Sequence, residues 1–409
     1  MGAGAFGRNH LRVLRELEAA SEGVALAAVV DPDAARAEEA TKQYGIPVFA
    51  TIEELLSADL KLDAAIVAVP TEKHHEVAAA LLEAGLDLLV EKPLAANLAD
   101  ADDLIARAER GGRILQPGHL ERFNPAVLAV EPNLKRPMFF EAHRLSVFTP
   151  RALDVDVVLD LMIHDLDIVL IFADSAVREV RAVGLPILSP KVDIANVRVE
   201  FESGCVANFT ASRVSTERVR KLRFFEPRQY VSIDYARRDV LVIRVDSGVS
   251  GVGGVGGVRT PPKQSLDGAP QISGELAEAA TEFLATGKLD SAVIQKLLAS
   301  GQVPATLAMK IAAAKNNPEK LKEIAKGLAG PQDGSKDGAG PGLSFVKPEV
   351  KEGEPLRLEI LSFLEAVRAR REPKVTARQG RAALELALTI QATMAAHAER
   401  AGLGDFFKK

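Results

Sequence analysis

Acidic side chains and a histidine occur at helical spacing in residues 160–167, which read DLMIHDLD. Asp160 and His164 are four residues apart, so both lie on one face of a predicted helix. A carboxylate beside an imidazole fixes the tautomer of the ring and stabilises the cation that forms when the ring takes a proton. The pair is therefore a candidate for acid–base catalysis. The alternative is a solvated helical face on which the histidine is incidental.

A phosphate-binding pattern occupies the first seven residues. Gly2, Gly4 and Gly7 have the spacing G-x-G-x-x-G. In this pattern the first glycine makes a tight turn, the second lets the backbone approach a pyrophosphate, and the third lets a helix pack on its strand. With Ala5 and Phe6, the segment would place the phosphates of a dinucleotide at the N-terminus of a helix. The pattern alone is weak evidence, because glycine-rich helix starts produce it by chance.

An acidic residue follows one strand later. Residues 24–30, VALAAVV, are typical of a short buried strand, which ends at Asp31. A carboxylate at this place accepts hydrogen bonds from the 2′-hydroxyl of a ribose and repels a 2′-phosphate. The alternative is a turn aspartate before Pro32. Because the glycines are correctly placed, we favour a dinucleotide site that prefers NAD to NADP.

The strand that should precede the glycine pattern is missing from the sequence. It is the central strand of a doubly wound sheet, and its loss would expose hydrophobic faces and backbone hydrogen-bonding groups on both neighbours. Met1 stands where the last apolar residue of that strand is expected. We therefore expect that the start of this chain was assigned one strand too far downstream.

Strands and helices alternate through residues 1–118, as a doubly wound sheet requires. The predicted helices are 11–20, 34–44, 74–84 and 98–110, and the predicted strands are 24–30, 64–69, 86–90 and 113–116. Pro70 and Thr71 follow one of these strands, and Glu91, Lys92 and Pro93 follow the next. Ligands of such sheets bind at the carboxyl ends of the strands. These residues should therefore share one crevice with the glycine pattern.

Lys92 is a candidate for catalysis in that crevice. An ammonium group there can stabilise the alkoxide that develops as hydride leaves a secondary alcohol carbon. His164 would take the hydroxyl proton, Asp160 would orient the imidazole, and NAD would accept the hydride. The alternative is a surface lysine. A metal site made of Asp160, His164 and Asp167 is a further alternative, but hydride transfer needs only a base and an oriented cofactor, so we expect no metal.

Composition excludes several classes of function. The chain has 409 residues, enough for two or three domains, and 47% of them are hydrophobic. A net charge of −5 and a pI near 5.9 give no reason to expect nucleic acid or an anionic membrane as partner. The single cysteine, Cys205, excludes an intrachain disulfide. With no apolar run of ~18 residues and no signal peptide, we expect a cytoplasmic protein.

Several short motifs together are characteristic of one family. They are Gly2-x-Gly4-x-x-Gly7-x-x-His10, Asp31-Pro32, Pro70-Thr71-x-x-His74, Glu91-Lys92-Pro93, and Asp160 with His164 and Asp167. Through them the chain resembles the Gfo/Idh/MocA family of NAD(P)-dependent oxidoreductases, over most of its length. The resemblance implies that His74 and the Glu91-Lys92-Pro93 motif belong to the cofactor site. It also implies that Lys92, Asp160 and His164 are catalytic.

The resemblance further implies a two-domain fold, α/β plus α+β. A Rossmann domain at 1–118, with its first strand apparently missing, would be followed by an open, mostly antiparallel sheet at 119–273 and 345–409. Strands are predicted at 138–145, 194–201, 206–212, 222–225, 230–234 and 240–245, and helices at 355–370 and 377–401. Such sheets bind substrate and bury a face between subunits in this family, so we expect a homodimer or homotetramer.

A segment after the nucleotide domain indicates the substrate. Residues 118–126, GHLERFNPA, with Ser212-Arg213 and residues 345–349, resemble the branch of the family that oxidises the 3-hydroxyl of UDP-N-acetylglucosamine. In that branch the 3-keto sugar is aminated for an altered lipid A. The substrate-binding residues implied are His119, Arg122, Asn124, Arg144, Asp160 and His164. The two arginines could pair with diphosphate oxygens, or equally form structural ion pairs.

Two alternatives remain for the function. One is an inositol or free-sugar dehydrogenase of the same family. The other is a non-catalytic NAD-binding or scaffold protein, whose partner contacts come from an insertion at residues 274–344. There, short helices are predicted at 275–286, 291–300, 304–315 and 318–328, followed by a flexible linker. Residues 248–258 are a low-complexity, glycine-rich segment that predicts a mobile loop.

Overall fold

The computed structural model describes residues 1–149, 155–245 and 343–403. In its N-terminal part, strands and helices alternate as the sequence predicts. The strands are β1 (Val29–Val30), β2 (Val48–Phe49), β3 (Ala64–Val67), β4 (Asp87–Glu91) and β5 (Leu115–Gly118). The helices are α1 (Ala5–Ala19), α2 (Ala34–Tyr44), α3 (Ile52–Ser57), α4 (His74–Glu83) and α5 (Leu98–Gly111). All the pairings between these strands are parallel.

Local signals set the helix ends in this domain. The side chains of Asp33, Thr51 and Asn97 accept hydrogen bonds from the first turns of α2, α3 and α5. Gly45 and Gly112 follow α2 and α5 in the left-handed conformation that glycine adopts without strain. The predicted bounds of α2, α4 and α5 are therefore correct to within one residue. Helix α1 begins six residues earlier than predicted, directly after Gly4.

The parallel sheet is divided into two pieces where the sequence lacks a strand. β1 pairs with β2, while β3, β4 and β5 form a separate sheet. Met1 and Gly2 lie between the pieces. The amide of Ala68 donates to the carbonyl of Met1 at 2.8 Å, and the amide of Gly2 donates to the carbonyl of Val30 at 2.8 Å. A cavity of about 750 Å³ adjoins them, lined by the segments that lead into β1 and β3 and by apolar side chains of α1.

The strand predicted at 24–30 is wrong over most of its length. Only Val29 and Val30 pair with β2. A strand is stabilised by hydrogen bonds along its edges, but one edge of this segment faces the cavity and β2 has only two residues. Residues 24–28 therefore have no neighbouring strand with which to form backbone hydrogen bonds. The prediction also missed β2 and α3, which are too short to give a periodic signal.

The second domain is built on an eight-stranded sheet. Its strands are β6 (Phe139–Leu145), β7 (Val177–Leu185), β8 (Ile194–Phe201), β9 (Val206–Ser212), β10 (Val219–Glu226), β11 (Gln229–Asp234), β12 (Asp239–Val245) and β13 (Leu343–Val346). Their order is β13-β12-β11-β10-β6-β9-β8-β7. Most neighbours are antiparallel, and β6 with β9 is parallel. This confirms the predicted open, mostly antiparallel sheet.

One face of the large sheet forms the core of the second domain. Buried and less buried residues alternate along the inner strands, as expected for a sheet with one covered face. The covered face packs against α7 (Ile163–Ala173), where the rings of Phe140 and Phe172 both pack against Phe224. Strand β7 was not predicted, because it lies at the edge and carries exposed Arg178 and Arg181 among its apolar residues.

Three further helices join the two domains. They are α6 (Pro125–Val130), α8 (Pro355–Ala369) and α9 (Ala377–Arg400). Helix α8 contacts α1, while α9 contacts α5, α7 and β7. The last two helices confirm the prediction for 355–370 and 377–401, and α9 begins with a capping box between Thr376 and Gln379.

Two regions of the sequence prediction lie outside the described residues. They are the glycine-rich segment 248–258 and the four helices between 275 and 328. Among the described residues, no helix has the length and apolar character that a membrane span requires.

Candidate functional site

The glycine loop has the geometry that a dinucleotide site needs. Gly2 has a φ of +86°, and a Cβ there would lie 2.7 Å from the carbonyl oxygen of Ala68. A Cβ at Gly7 would lie 2.0 Å from the carbonyl oxygen of Gly2, so only glycine fits at either place. A Cβ at Gly4 would meet no atom of the described residues within 4 Å. Gly4 therefore borders open space, where a phosphate can approach the backbone.

The start of α1 offers backbone donors to that space. The cap residue Gly4 has no side chain, and Ala5 and Phe6 begin the first turn. The unpaired N–H groups of a helix start favour a negatively charged group. Asp31 is buried beside this loop, and its Oδ2 accepts a hydrogen bond from the amide of Ala3 at 2.7 Å. Loop, helix start and carboxylate thus fit a bound NAD.

The residues after β3 form the next wall of the crevice. Pro70 is exposed and precedes a short 3-10 turn, Thr71–Lys73. His74 follows and is buried, with its ring nitrogens 2.9 Å from the carbonyl oxygen of Pro93 and 3.0 Å from that of Val69. His74 therefore ties two crevice loops together, and its ring is not free to bind a ligand directly.

Glu91 and Lys92 lie at the end of β4. Glu91 forms a buried hydrogen bond with His10 of α1, with 2.7 Å between Oε1 of Glu91 and Nε2 of His10. A Cβ at Gly118 would lie 3.1 Å from the Glu91 carboxylate, so the neighbouring strand approaches this side chain closely. The Lys92–Pro93 peptide bond is cis. This arrangement connects the helix that faces the phosphates with the residue that precedes Lys92.

Lys92 reaches into the second domain. Its Nζ donates to the carbonyl oxygen of Asp160 at 2.8 Å and to that of Leu159 at 3.3 Å. Burial lowers the pKa of Lys92, while the carboxylates of Asp160 and Glu91 act in the opposite direction. The structure therefore brings together Lys92 and the Asp160 segment, which are 68 positions apart in the sequence.

The segment around Asp160 is not the continuous α-helix that the sequence predicts. Residues Val158–Met162 form a π-helical turn, in which the amide of Ile163 donates to the carbonyl of Val158. Asp160 lies in this turn and His164 lies in the first turn of α7. π-Turns are common at functional sites. Here the carbonyls of Leu159 and Asp160 both accept from Lys92, which a prediction from spacing does not foresee.

His164 is held as a neutral imidazole. It is half-buried, and its Nδ1 has no hydrogen-bond partner among the described residues. Burial, followed by the positive charges of Lys92 and Arg144, lowers its pKa well below the usual value of 6.5. A neutral ring can accept a proton at neutral pH. The residue therefore suits the role of a base.

Arg144 is occupied by protein carboxylates. Its Nε and Nη2 donate to the two oxygens of Asp165 at 2.7 and 3.0 Å, and its Nη1 donates to Glu121 at 3.0 Å. The guanidinium also lies over the ring of Tyr235, 5.1 Å from its centroid. The prediction that Arg144 holds a diphosphate is therefore replaced by its alternative, a structural ion pair. This pair fixes the residue next to His164 on α7.

The other predicted substrate residues are also buried among protein groups. His119 and Arg122 lie 3.8 and 3.6 Å from the carboxylate of Asp167 and are almost fully buried. Asn124 caps α6 and donates to the carbonyl of Tyr235. Both ring nitrogens of His119 and Nη1 of Arg122 have no hydrogen-bond partner among the described residues. Substrate contact by these three residues stays a prediction. Asp167 belongs to this buried group, although its spacing from His164 made it a candidate ligand.

Sequence reasoning missed an acid on α8. Glu359 is fully buried, and neither carboxylate oxygen has a partner among the described residues. Burial, with the charges of Glu91 and Asp167, raises its pKa well above the usual value of 4.5. One signal could have found it, because Glu359 falls on the apolar stripe of α8 with Leu356, Ile360 and Phe363. The sequence pattern gives no comparable sign that Asp165, Glu121 and Tyr235 belong to the site.

No metal centre is formed by the part of the chain described in the structure. Within it, no three histidine, cysteine or carboxylate side chains are arranged to hold an ion.

Comparison with known proteins decides the family. The model of the Gfo/Idh/MocA oxidoreductase family, NAD-binding Rossmann fold, matches residues 1–119, and that of the family's C-terminal domain matches residues 127–228. A curated relative, UDP-N-acetylglucosamine 3-dehydrogenase from Acidithiobacillus ferrooxidans, is 35% identical over 249 residues, which are 61% of this chain and 77% of the relative. This chain belongs to the Gfo/Idh/MocA family. It is an oxidoreductase, and its cofactor is NAD.

Other relatives in the family differ in their named substrates. Inositol 2-dehydrogenase from Acidothermus cellulolyticus is 30% identical over 190 residues, which cover 45% of this chain and 55% of that one. Among solved structures, UDP-N-acetylglucosamine 3-dehydrogenase from A. ferrooxidans aligns over 97% of this chain and 96% of its own, with a TM-score of 0.69 and 26% identity. The sugar that this chain oxidises is thus a separate question from its membership of the family.

Proposed function

We propose that this chain is a dehydrogenase of a nucleotide sugar, and that it oxidises the 3-hydroxyl of UDP-N-acetylglucosamine to a ketone. The observation that carries the proposal is the contact between Lys92 Nζ and the carbonyl of Asp160, four residues before the neutral His164. This contact supports a site in which the ammonium of Lys92 lies against the backbone of the segment that carries Asp160 and His164. The similarity to UDP-N-acetylglucosamine 3-dehydrogenase supports the choice of sugar.

The roles of the three side chains follow from their charges. The reaction removes a hydride from carbon and a proton from its hydroxyl, leaving a carbonyl. Bound NAD supplies the hydride acceptor. Lys92 stabilises the negative charge that develops on the oxygen. His164 takes the hydroxyl proton as a neutral base, and Asp160 stabilises the cation that results.

The glycine loop and Asp31 bind the cofactor in this proposal. Gly4 gives the phosphates access to the start of α1, and Asp31 accepts from the ribose. Glu91, fixed by His10, holds the turn on which Lys92 stands. In this proposal the glycine loop would hold the cofactor, and Lys92 lies between that loop's domain and the π-turn of Asp160, which it contacts.

The test is NADH formation, followed by absorbance, with UDP-N-acetylglucosamine. We expect turnover by the chain as given and a loss of at least about a hundredfold in Lys92→Ala, because one charge-stabilising group in an active site contributes about 10²–10³ in rate. Lys42→Ala is the matched control, since Lys42 is exposed on α2 and pairs only with Glu38 among the described residues. An equally active Lys92→Ala variant would remove Lys92 from the chemistry.

A second candidate substrate class is an inositol or a free sugar. The observation that favours it is the similarity to two inositol 2-dehydrogenases, 30% and 32% identical over 190 and 176 residues. The same assay with a panel of inositols and hexoses separates the two classes. Turnover of an inositol without turnover of the nucleotide sugar would replace our proposal. Absence of both turnover and NADH binding would favour a scaffold protein.

We further propose that the protein is a cytoplasmic homodimer or homotetramer. The uncovered face of the large sheet supports this, since it carries Phe139, Phe225 and Tyr230 side by side, with ring centroids 5.1–5.6 Å apart. Light scattering on the purified chain tests the oligomeric state, and a monomer at micromolar concentration would contradict it. Cys205 is buried as a free thiol, which fits a reducing compartment.

A further inference from the structure

Arg220 lies beside Arg144 on the covered face of the large sheet. The two residues are directly opposite each other on β10 and β6. Opposite residues of an antiparallel pair project from the same face. That face is the one that carries the buried Ala142 and Leu222, two positions further along each strand. Arg220 is half-buried, so it stands where the covered face opens at the end of the two strands.

The two neighbouring guanidinium groups differ in their partners. Arg144 is neutralised by Asp165 and Glu121. Arg220 has no carboxylate within ion-pair distance among the described residues, and its Nε is buried without a hydrogen-bond partner there. Burial, followed by the positive charge of Arg144, lowers the pKa of Arg220, while Glu121 and Asp165, the carboxylates paired with Arg144, act in the opposite direction. A partly buried cation without a counterion is costly. The arrangement therefore favours binding of an anion at this position.

The position of Arg220 relates it to the catalytic segment. Its charge is among those that lower the pKa of His164, together with the charges of Lys92 and Arg144. Tyr235 flanks it on the other side, where its amide donates to the carbonyl of Arg220 at 3.0 Å. An anionic group bound to Arg220 would therefore lie near His164. The exposed Arg218, which directly precedes β10, adds a second positive charge near Arg220.

The chemical class of the anion follows from the donor. A guanidinium presents N–H groups in a planar fork that matches two oxygens of a phosphate. The phosphates of the cofactor are bound elsewhere, at the glycine loop of the Rossmann domain. A second phosphate site near His164 thus fits a substrate that carries its own phosphate groups.

We propose that Arg220, assisted by Arg218, binds the diphosphate of the sugar substrate. This inference rests on the proposed function in its choice of a nucleotide sugar, and it replaces Arg122 and Arg144 as the expected diphosphate ligands. Arg220 thereby selects nucleotide sugars over free sugars and inositols, which have no anionic group.

Calorimetric titration with UDP tests the proposal without any need for turnover. We expect UDP to bind the NAD-loaded chain and to bind Arg220→Ala at least about tenfold more weakly, the loss of one charge-assisted hydrogen bond. Uridine, which lacks the phosphates, should bind both proteins equally. Arg223→Ala is the matched control, because Arg223 lies on the same strand but on the opposite face, near Glu141. Its affinity for UDP should equal that of the unaltered chain.

Kinetics then separate this proposal from the proposed function. In Arg220→Ala we expect KM for the nucleotide sugar to rise about tenfold while KM for NAD and kcat change little. UDP binding that depends on Arg220 without oxidation of UDP-N-acetylglucosamine would refute the choice of sugar and support the site. If Arg220→Ala binds UDP as well as Arg223→Ala does, or if UDP does not bind at all, Arg220 is not a diphosphate ligand. Equal melting temperatures exclude misfolding as the cause of a loss.

Discussion

At the scale of single residues, charge neutralisation separates catalytic from structural groups. Arg144 and His164 lie near each other, but Arg144 is satisfied by two carboxylates, whereas His164 keeps a free ring nitrogen. A side chain whose donors are all occupied cannot also bind a ligand without a large loss. Lys92, Asp160 and His164 remain the residues that we propose for the chemistry.

The pH dependence of the reaction follows from two lowered pKa values. The pKa of His164 is well below 6.5, so the base is free at neutral pH and is protonated only in more acidic solution. The pKa of Lys92 is below 10.5, so its stabilising charge is lost in alkaline solution. We expect kcat/KM to be constant around neutral pH and to fall on both sides. An acid limb centred at or above pH 6.5 would contradict the assignment of His164 as the base.

The substitution Arg144→Lys tests whether Arg144 stabilises the fold or binds the substrate. Lysine keeps the positive charge but cannot form the bidentate ion pair that Arg144 makes with Asp165. We expect the free energy of unfolding, measured with urea, to fall by about 2 kcal/mol. Arg223→Lys, at an exposed pair, should change it by less than about 0.5 kcal/mol. Unchanged stability with lost UDP binding would instead return Arg144 to the substrate site.

At the scale of elements, the start of α1 and the end of β4 form one unit. The glycine loop leads into α1, and His10 on that helix holds Glu91, which precedes Lys92. Helix α1 is thus linked to the residue before Lys92 through a buried hydrogen bond. A side chain at Gly2 or Gly7 would collide with backbone atoms, whereas a side chain at Gly4 would meet open space. Substitutions at these glycines should therefore have different effects.

Alanine at two of the glycines should act in different ways. At Gly7 the new Cβ would collide with the carbonyl of Gly2, 2.0 Å away, so we expect Gly7→Ala to lower the melting temperature by several degrees. At Gly4 the new Cβ meets only open space, so Gly4→Ala should fold normally. Its affinity for NADH, measured by fluorescence, should fall about tenfold because the methyl group obstructs the phosphates. Normal NADH affinity in Gly4→Ala would place the phosphates elsewhere.

Helix α8 contributes a pH-dependent term to stability through Glu359. Its pKa is raised in the folded state, so the folded protein holds a proton that the unfolded chain releases above about pH 4.5. Stability from this group is therefore lost as pH rises. Glu359→Gln cannot ionise, so its advantage in unfolding free energy over the unaltered chain should grow between pH 5 and 8, by at most about 1.4 kcal/mol per pH unit. A constant difference in urea midpoint would show that Glu359 is ionised when folded.

At the scale of the whole molecule, the two domains meet where Lys92 contacts the π-turn of Val158–Met162. The Rossmann sheet is itself divided, with Met1 and Gly2 bonded to β3 and β1 at the end of a cavity of about 750 Å³. The walls of the cavity include the segments that lead into these two parallel strands, together with residues of α1 and α8. The cavity therefore borders both pieces of the parallel sheet.

An added strand should stabilise the molecule. We expect five apolar residues fused before Met1 to extend into the cavity, since five residues span about 16 Å, and to raise the melting temperature by about 5 °C. An extension of equal length with alternating lysines is the control, because both faces of this sheet are covered. Equal melting temperatures for the two extensions would mean that the cavity does not accept a strand.

The secondary structure and family were accessible from the sequence because they depend on local signals. Asp33, Thr51 and Asn97 cap their helices through neighbouring amides, and Gly45 and Gly112 end theirs through a backbone conformation. The strand at 24–30 was predicted too long because its apolar pattern says nothing of a missing partner. The π-turn at Val158–Met162 was missed because spacing alone cannot separate backbone hydrogen bonds that span five residues from those that span four.

The sequence by itself determined the two-domain oxidoreductase, its NAD loop and the identity of Lys92, Asp160 and His164 as candidates, since these follow from motifs and alternation along the chain. Only the tertiary structure decided which charges are free. From the sequence alone, Arg122, Arg144 and His119 are candidates to bind substrate. In the structure each of them lies near a buried carboxylate from a distant segment. Arg220 has no motif, yet the register of two strands leaves it without a counterion. Ion pairing depends on distances between segments, and the order of residues does not contain those distances.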